Sequence, residues 1–156
     1  MNSVTPGRTA IHKAGPEDVE TLIPLITAFH DEEGLDSDET HIRHAITPIL
    51  KGSPHGELFL AGPRRAPAGY VMVSYGWSIE FGGLDSYMDE LYLRPAVRGR
   101  GIAGDVIHAL SNHLAAKGAL SLYLEVDHDN EQALRTYQRA GFESRGRYSL
   151  MVRTLT

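Results

Sequence analysis

The stretch RGRGIAG, residues 98–104, brings three glycines and two arginines together directly before a segment with helical apolar spacing. Backbone N–H groups that run into a helix N-terminus form an anion site, which needs neither a metal nor a lysine. Glycine and alanine let phosphate oxygens approach the backbone, because no bulky side chain stands in the way. Arg98 and Arg100 add positive charge. The stretch therefore predicts a site for a ligand that carries a diphosphate.

Two other phosphate-binding motifs compete for the same stretch. Its glycines spell G-x-G-x-x-G, and Glu125 follows where the dinucleotide fingerprint places an acid. However, the residues RPAVR separate the preceding strand from the first glycine, and the strands before it have an antiparallel pattern. The motif G-x-x-x-x-G-K-[ST] also fails, since Asp105 and Val106 stand at its lysine and serine positions. Both motifs are therefore disfavoured.

The chain ahead of this stretch supplies elements that would position it. Apolar periodicity and N-terminal helix signals predict a short strand at Thr9–Lys13, a helix that opens at Pro16 and a second helix near Asp36. Three β-rich segments follow, ELFLA, GYVMVSYGW and SYMDELYL. The Gly/Pro-containing turns between them predict antiparallel strands.

After Arg98 the pattern changes to helix, strand, helix and a last strand. DVIHALSNHLAAK and NEQALRTYQRA have helical periodicity, while SLYLEV (121–126) and YSLMVRTL (148–155) have strand composition. A helix between two strands of one sheet favours a parallel crossover. The predicted fold class is α/β, with a mixed, mainly antiparallel sheet flanked by helices, in one domain over residues 1–156.

The composition limits the classes of function. The chain has 156 residues, a net charge of −5 and no cysteine. The acidic balance disfavours nucleic acid as the main partner, and the lack of cysteine excludes disulfides and a cysteine acyl intermediate. No apolar run reaches the roughly 20 residues that span a bilayer, and no signal-peptide core is visible. We therefore expect a cytoplasmic protein with no membrane partner.

Two linked motifs carry a family resemblance. Arg98-x-x-Gly101-x-Ala103 matches the signature R/Q-x-x-G-x-G/A. The pattern N-x-x-A-x-x-x-Y-x-x-x-G-F is met by Asn130, Ala133, Tyr137, Gly141 and Phe142. Together they resemble the GNAT superfamily of acyl-CoA N-acyltransferases, over roughly the C-terminal half of the chain.

The resemblance implies acetyl-CoA as the co-substrate and no metal. The residues that would hold it are Leu91, Tyr92, Leu93, Arg98, Gly99, Arg100, Gly101, Ile102, Ala103, Gly104 and Asn130. The backbone of residues 91–93 would pair with the pantetheine arm like an added strand, and the Leu93 N–H would polarise the thioester carbonyl. In this superfamily the parallel fourth and fifth strands splay apart, and the cofactor enters the gap. Asn130 also has a simpler interpretation as the cap of the last helix.

Acyl transfer to an amine also needs a base and an acid. Tyr137 matches the superfamily tyrosine that faces the coenzyme A sulfur, which implies a general acid, although its position also suits a core aromatic. Asp89 and Glu90 are adjacent on a strand, so we expect them to point to opposite faces, with only one reaching the amine. Glu90 is the preferred base, with Asp89 or a chain of water molecules as alternatives.

The resemblance places the acceptor site on the first helices and the middle strands. Its residues in this chain would be His30, Glu33, Tyr75, Trp77 and Glu125. An acidic and aromatic wall suits a cationic acceptor, with a small-molecule amine or polyamine ahead of a peptide amine. The acidic run HDEEGLDSDE also fits a solvated link between helices.

Two functions from different classes stay open. One is an N-acetyltransferase that acts on a primary amine by direct transfer in a ternary complex. The other is a non-catalytic module that binds acyl-CoA as a sensor. The presence of Tyr137 and of the Asp89–Glu90 pair favours the enzyme. Homodimers are common among such domains, so a second copy of the chain is a candidate partner.

Overall fold

A five-stranded sheet forms the centre of the fold in the computed structural model, which describes residues 8–156. Its strands are β1 (Ile11–Lys13), β2 (Gly56–Ala61), β3 (Gly69–Ser78), β4 (Gly83–Leu93) and β5 (Leu122–Tyr123). They lie in the order β1-β2-β3-β4-β5, antiparallel up to β4 and parallel between β4 and β5. The predicted α/β fold with a mixed, mainly antiparallel sheet is therefore confirmed.

Four α-helices occur among the described residues. They are α1 (Val19–Glu33), α2 (Glu39–Leu50), α3 (Ile102–Lys117) and α4 (Glu131–Arg139). Gly34 ends α1 with a left-handed φ of 68°. The Asp38 carboxylate accepts a hydrogen bond from the His41 N–H at 2.8 Å and so caps α2. The cap is therefore Asp38 rather than Asp36, while α2 itself begins near the predicted place.

Apolar side chains are buried on both faces of the sheet. The core between the sheet and helices α1 and α2 includes Leu22, Leu25, Ile42, Leu60 and Tyr70. α3 covers the opposite face, where its His113 ring packs against Phe59 at 5.0 Å between ring centroids. Each fully buried Leu or Ile contributes about 1.5–3 kcal/mol, so this burial holds the helices firmly on the sheet.

β4 and β5 pair over a short distance only. Their register contains the pairs Ser86–Leu122 and Tyr87–Tyr123. Beyond Tyr87, β4 continues to Leu93 with no strand beside it on that edge among residues 8–156. The parallel strands thus part as predicted, and the parting leaves one edge of β4 open.

One residue of β4 has no partner on β3. Val73 lies opposite Met88 and Met72 lies opposite Glu90, so Asp89 forms a β-bulge between the two pairs. A bulge bends its strand and increases the local twist. It also changes which side chains of β4 share a face of the sheet.

The residues after Glu125 form a separate compact unit, Val126–Thr156. Asn130 caps α4 as predicted, because its side chain accepts a hydrogen bond from the Ala133 N–H at 3.1 Å. The predicted strand at 148–155 is wrong, since these residues form no strand and their large apolar side chains are exposed. A strand needs a neighbour with which to pair its N–H and C=O groups, and this unit contains none. The prediction of one domain over residues 1–156 stays a prediction.

A buried carboxylate on β2 is surrounded by cations on the α3 side of the sheet. Glu57 is 4% exposed and accepts hydrogen bonds from Lys117 Nζ at 2.9 Å and from the Tyr75 hydroxyl at 2.5 Å. His113 Nε2 lies 3.1 Å from the same oxygen, and Lys13 Nζ lies 3.5 Å from the other oxygen. Burial alone would raise the pKa of Glu57, but the hydrogen bonds outweigh burial and lower the pKa to about 2.

Replacing Glu57 with Gln should lower the free energy of unfolding at pH 7 by about 1.5–3 kcal/mol, because hydrogen bonds to a charged group are lost. A carboxyl with a pKa near 4.5 unfolded and about 2 folded stabilises the protein above pH 4.5. This contribution is lost as the pH falls toward 2. Urea unfolding of both proteins should therefore show a difference that shrinks over that range.

A difference that does not change with pH would contradict the role given to the Glu57 carboxylate. Glu33→Gln makes the same change at an exposed position. It serves as the control and should shift the free energy of unfolding by no more than about 0.5 kcal/mol.

Candidate functional site

The glycine-rich stretch forms a backbone cradle between β4 and α3. Gly99 and Gly101 have left-handed φ angles of 79° and 77°, and Gly101 is the N-cap of α3. The first hydrogen bond of the helix runs from the Asp105 N–H to the Gly101 carbonyl at 3.2 Å. Among the described residues, nothing accepts a hydrogen bond from the N–H groups of residues 99–104. These donors lie where the helix dipole favours an anion.

The small residues of the stretch leave room for such an anion. A Cβ on Gly99, Gly101 or Gly104 would meet no heavy atom within 4 Å. Ile102 and Ala103 begin the first turn of α3 and are half-buried. The Asp105 carboxylate accepts a hydrogen bond from the Thr9 N–H at 2.9 Å, which ties the segment just before β1 to this turn.

The two arginines of the stretch differ in their surroundings. Arg98 donates from Nη2 to both carboxylate oxygens of Glu32, at 2.7 and 2.9 Å, and from Nε to the Leu93 carbonyl at 2.9 Å. Its guanidinium also lies 5.5 Å from the centre of the Tyr92 ring. Arg98 thus connects the cradle to α1 and to the end of β4. Arg100 is exposed and forms no ion pair within residues 8–156.

The open edge of β4 presents backbone donors beside the cradle. The Arg94 N–H donates to the Ala68 carbonyl at 2.8 Å, which places that pair in the hydrogen-bonded position of the β3–β4 ladder. Hydrogen-bonded and non-hydrogen-bonded positions alternate along an antiparallel strand. The N–H groups of Leu91 and Leu93 therefore point away from β3, toward the open edge. Tyr92 lies between them, and its side chain is buried in the core.

The structure corrects the predicted orientation of the adjacent acids. Asp89 and Glu90 both line one cavity, so the expectation that they face opposite sides of the sheet is wrong. The physical reason is the bulge at Asp89, which interrupts the alternation on which that expectation depends. Both carboxylates can therefore act on the same ligand.

Glu90 is held by a chain of hydrogen bonds that joins three elements. The Tyr70 hydroxyl donates to Glu90 Oε1 at 2.8 Å, and His30 Nε2 lies 2.6 Å from Glu90 Oε2. His30 Nδ1 lies 2.6 Å from the Ser37 hydroxyl oxygen, close to the protein surface. Burial, with the nearby charge of Glu90, raises the pKa of Tyr70 far above its usual range. Tyr70 is thus a permanent donor, and the Glu90 carboxylate has a fixed orientation.

Asp89 has a different electrostatic environment from Glu90. Asp89 is exposed at the surface, yet its carboxyl group is partly desolvated, and this desolvation raises its pKa. A hydrogen bond from Ser74 acts in the opposite direction, and the charges of Glu90 and Glu125 raise the pKa further. Three carboxylates near one point favour the binding of a cation.

A cavity of about 180 Å³ lies between α1, α2 and the sheet. Its polar lining residues are His30, His41, Asp89 and Glu90. Its apolar lining residues are Ile26, Ile42, Ala45, Ile46, Ile49, Leu58 and Met72. The strands β2, β3 and β4 form its floor, and α2 forms most of its cover.

The other residues expected around the acceptor do not line this cavity. Tyr75 lies on the α3 side of the sheet, hydrogen bonded to Glu57. Trp77 is 72% exposed near the end of β3, and Glu33 is exposed at the end of α1. Glu125 follows β5 rather than lying on it, because β5 is shorter than the predicted strand 121–126.

Sequence reasoning missed several residues of the site. The Tyr87 hydroxyl donates to Glu125, and this bond fixes the carboxylate near Asp89. Tyr70 and Ser37 were not predicted either, because neither belongs to a motif. Alternation along GYVMVSYGW places Tyr70 on the same face as Met72, which was the one available signal for Tyr70.

Two predicted site residues lie in the C-terminal unit, namely Tyr137, the predicted acid, and Asn130, a predicted coenzyme-binding residue. Tyr137 is on α4, with its ring 5.9 Å from that of Phe142 between centroids. Asn130 is the cap of the same helix. Their roles beside the coenzyme stay predictions.

Residues 8–156 contain neither a cluster of metal-ligating side chains nor a membrane-spanning helix. No group of three or more histidine or acidic side chains is arranged there to hold a metal ion. No helix in the same range combines the length and the apolar composition that crossing a bilayer requires.

Comparison with known proteins reveals related chains. The profile of the acetyltransferase (GNAT) family matches residues 20–142. A mycothiol acetyltransferase of Gordonia bronchialis is 36% identical over 102 residues, and the match covers 64% of this chain but 30% of that protein. An uncharacterised N-acetyltransferase of Mycobacterium bovis is 32% identical over 111 residues, with 68% of this chain and 70% of that protein covered.

Solved structures share the fold. An integron cassette protein from the mobile metagenome of Cole Harbour salt marsh has a TM-score of 0.81 at 26% identity, with 94% of this chain and 90% of that chain covered. A probable acetyltransferase has a TM-score of 0.82 at 17% identity, with 94% and 97% covered. An aminoglycoside acetyltransferase from an uncultured soil metagenomic sample has a TM-score of 0.77 at 17% identity, with 97% and 99% covered. The latter two likenesses concern the fold alone.

Replacing Gly101 with Ala should weaken the binding of acetyl-CoA about tenfold, or ~1.4 kcal/mol. A side chain at a φ of 77° strains the turn that directs the N–H groups. Gly118→Ala is the matched control, because Gly118 also has a left-handed φ (94°) and open space around its Cβ position but ends α3. Calorimetric titration measures both, and equal affinities for the two variants would contradict the diphosphate assignment.

Proposed function

Because the chain belongs to the acetyltransferase (GNAT) family, we propose that it transfers an acetyl group from acetyl-CoA directly to a primary amine, with both bound together. The family makes the chain an acyltransferase, and the donor, the acceptor and the direct transfer are the proposal. One observation carries it. The Glu90 carboxylate, held by His30 and Tyr70, lines a cavity on β4, and beyond Tyr87 the outer edge of that strand has no neighbouring strand among residues 8–156.

The glycine-rich stretch fits the diphosphate of acetyl-CoA. Its N–H groups have no acceptors among the described residues, and a Cβ at Gly104 would meet open space. When bound, acetyl-CoA supplies an acetyl group activated as a thioester. Arg100 would add charge directly, whereas Arg98 would first exchange Glu32 for a phosphate oxygen.

The open edge of β4 would receive the extended arm of the donor. The outward N–H groups of Leu91 and Leu93 are suited to pair with an extended chain, as in strand addition. The Leu93 N–H would donate to the thioester carbonyl oxygen as negative charge develops there. A rigid backbone donor needs no reorganisation during the reaction, because the β3–β4 ladder holds it in place.

The acids of the cavity would prepare the amine. Asp89 and Glu90 attract its ammonium form, and Glu90 accepts one proton so that the nitrogen lone pair becomes available. His30 and Ser37 then offer a route for that proton toward the surface. Asp89 and a chain of water molecules remain the alternatives to Glu90 as the base.

The transfer itself exchanges one bond for another. The amine nitrogen attacks the carbonyl carbon, a C–N bond forms, and the C–S bond breaks. Tyr137 would give its hydroxyl proton to the leaving sulfur. The ammonium nitrogen loses two protons in all. One passes to Glu90 before the attack, and the other leaves the nitrogen once the C–N bond has formed and replaces the proton that Tyr137 gives to the sulfur.

Glu90→Gln should lower kcat about 100-fold or more, since general base catalysis contributes roughly 10²–10⁴-fold. Release of the coenzyme A thiol in the presence of primary amines measures kcat. Asp89→Asn is the matched variant, and it should mainly raise the KM of the amine. An unchanged kcat in Glu90→Gln would exclude Glu90 as the base. Tight acetyl-CoA binding without turnover of any amine would favour the sensor.

Tyr137→Phe should lower kcat about tenfold or more while the affinity for acetyl-CoA stays nearly unchanged, because only the proton donor is lost. Tyr148→Phe removes a hydroxyl from an exposed tyrosine of the same unit and should have no effect. Thiol release and calorimetric titration measure the two quantities. An unchanged kcat in Tyr137→Phe would end its role as the acid.

A further inference from the structure

We infer that the acceptor is a small primary monoamine with an apolar body, which lies between α2 and the sheet with its amine at Asp89 and Glu90. The inference rests on the proposed function and narrows its acceptor class. It makes the apolar cavity, rather than the acidic link between α1 and α2, the part of the chain that selects the substrate.

The floor of the cavity is one row of side chains across three strands. Leu58 pairs with Met72, and Met72 pairs with Glu90, so the three lie side by side on β2, β3 and β4. Adjacent strands are about 4.8 Å apart, so the row extends about 10 Å from Glu90 to Leu58. A carboxylate therefore stands at one end, and apolar surface covers the rest.

The cover of the cavity, formed mainly by α2, is also apolar above the apolar part of the floor. Ile42, Ile46 and Ile49 recur at helical spacing along α2 and line the cavity above the apolar part of the floor. Ile42 and Ile46 are 2% and 8% exposed and Ile49 is half-buried, so most of this apolar surface is shielded from water. Asp89 and Glu90 are the only acidic side chains among the described lining residues.

This distribution of charge selects against a polyamine. An ammonium group beside Asp89 and Glu90 is neutralised, whereas a second ammonium at the Leu58 end would be buried without a partner. Burial of an unpaired charge is strongly unfavourable. The cavity volume of about 180 Å³ also lies below the roughly 300–1,000 Å³ of sites for drug-sized ligands. A short apolar monoamine satisfies both limits.

The acidic link has other roles in this structure. Glu32 is paired with Arg98, and Glu33 is exposed at the end of α1. Neither side chain lines the cavity, and the aromatic Trp77 does not line it either. The charges that suggested a polyamine therefore lie outside the place where the amine is held.

The test compares two probes that differ only at one end, hexylamine and 1,6-diaminohexane. Calorimetric titration measures their binding to the full chain with desulfo-coenzyme A present, and thiol release with acetyl-CoA measures kcat/KM. We expect hexylamine to exceed the diamine at least about tenfold in both. From propylamine to hexylamine, kcat/KM should rise about fourfold per methylene, which corresponds to ~0.8 kcal/mol of burial.

A pair of variants tests the location of the site. Ala45→Phe places a ring into the cavity from an exposed position of α2, and should weaken hexylamine binding at least about tenfold without a change in coenzyme affinity. Ala116→Phe makes the same change at an exposed position of α3 and should leave both affinities unchanged. Thermal unfolding of both variants checks that they fold.

The outcomes separate this inference from the proposed function. Equal or better binding of the diamine, or no dependence on chain length, would overturn the inference while acetyl transfer to amines still stood. Hexylamine binding that follows the expected pattern without thiol release would support the cavity as an amine site and overturn the proposed transfer. Hexylamine binding that is unaffected by Ala45→Phe would also overturn the inference.

Discussion

The hydrogen bonds around Glu90 connect the parts of the molecule on which the site depends. Tyr70 approaches the carboxylate from β3, and His30 approaches it from α1. A half-buried carboxylate is costly unless donors surround it, so this contact adds to the apolar burial that holds α1 on the sheet. The same helix end supplies Glu32, which pairs with Arg98 at the start of the cradle. One helix therefore contacts both the acid and the anion site.

The short pairing between β4 and β5 leaves part of the β4 backbone available to a ligand. Paired strands satisfy their N–H and C=O groups with each other, whereas the edge of β4 beyond Tyr87 lacks such a neighbour among residues 8–156. An unpaired edge usually invites association with other chains. Here it lies beside a loop whose N–H groups, at residues 99–104, also lack acceptors in the described part of the chain. Two sets of unused donors, one along an edge and one at a helix start, suit a ligand with an extended arm and a diphosphate.

Local features of the site were predictable from the sequence, and features that depend on the packing of distant segments were not. Glycines 99 and 101 reveal the cradle because a left-handed turn before a helix is a local property of few residues. Asn130 as a helix cap is equally local. The contact between His30 and Glu90 joins positions sixty residues apart, and the bulge arises only when β3 and β4 are aligned. The failed strand at 148–155 shows that apolar alternation makes a segment able to pair but provides no partner.

The bulge at Asp89 also makes one position of β4 more tolerant of a change in length than its neighbours. Val73 and Met88 face one side of the sheet, while Met72 and Glu90 face the other, so these two pairs already alternate as in a regular ladder and Asp89 is the extra residue between them. Loss of Asp89 would leave both pairs in place and would remove only the second carboxylate of the site. Elsewhere in a regular ladder, loss of one residue turns the segment beyond it over and exchanges its buried and exposed faces. Among homologous chains, a gap of one residue in this strand should therefore fall at the bulge.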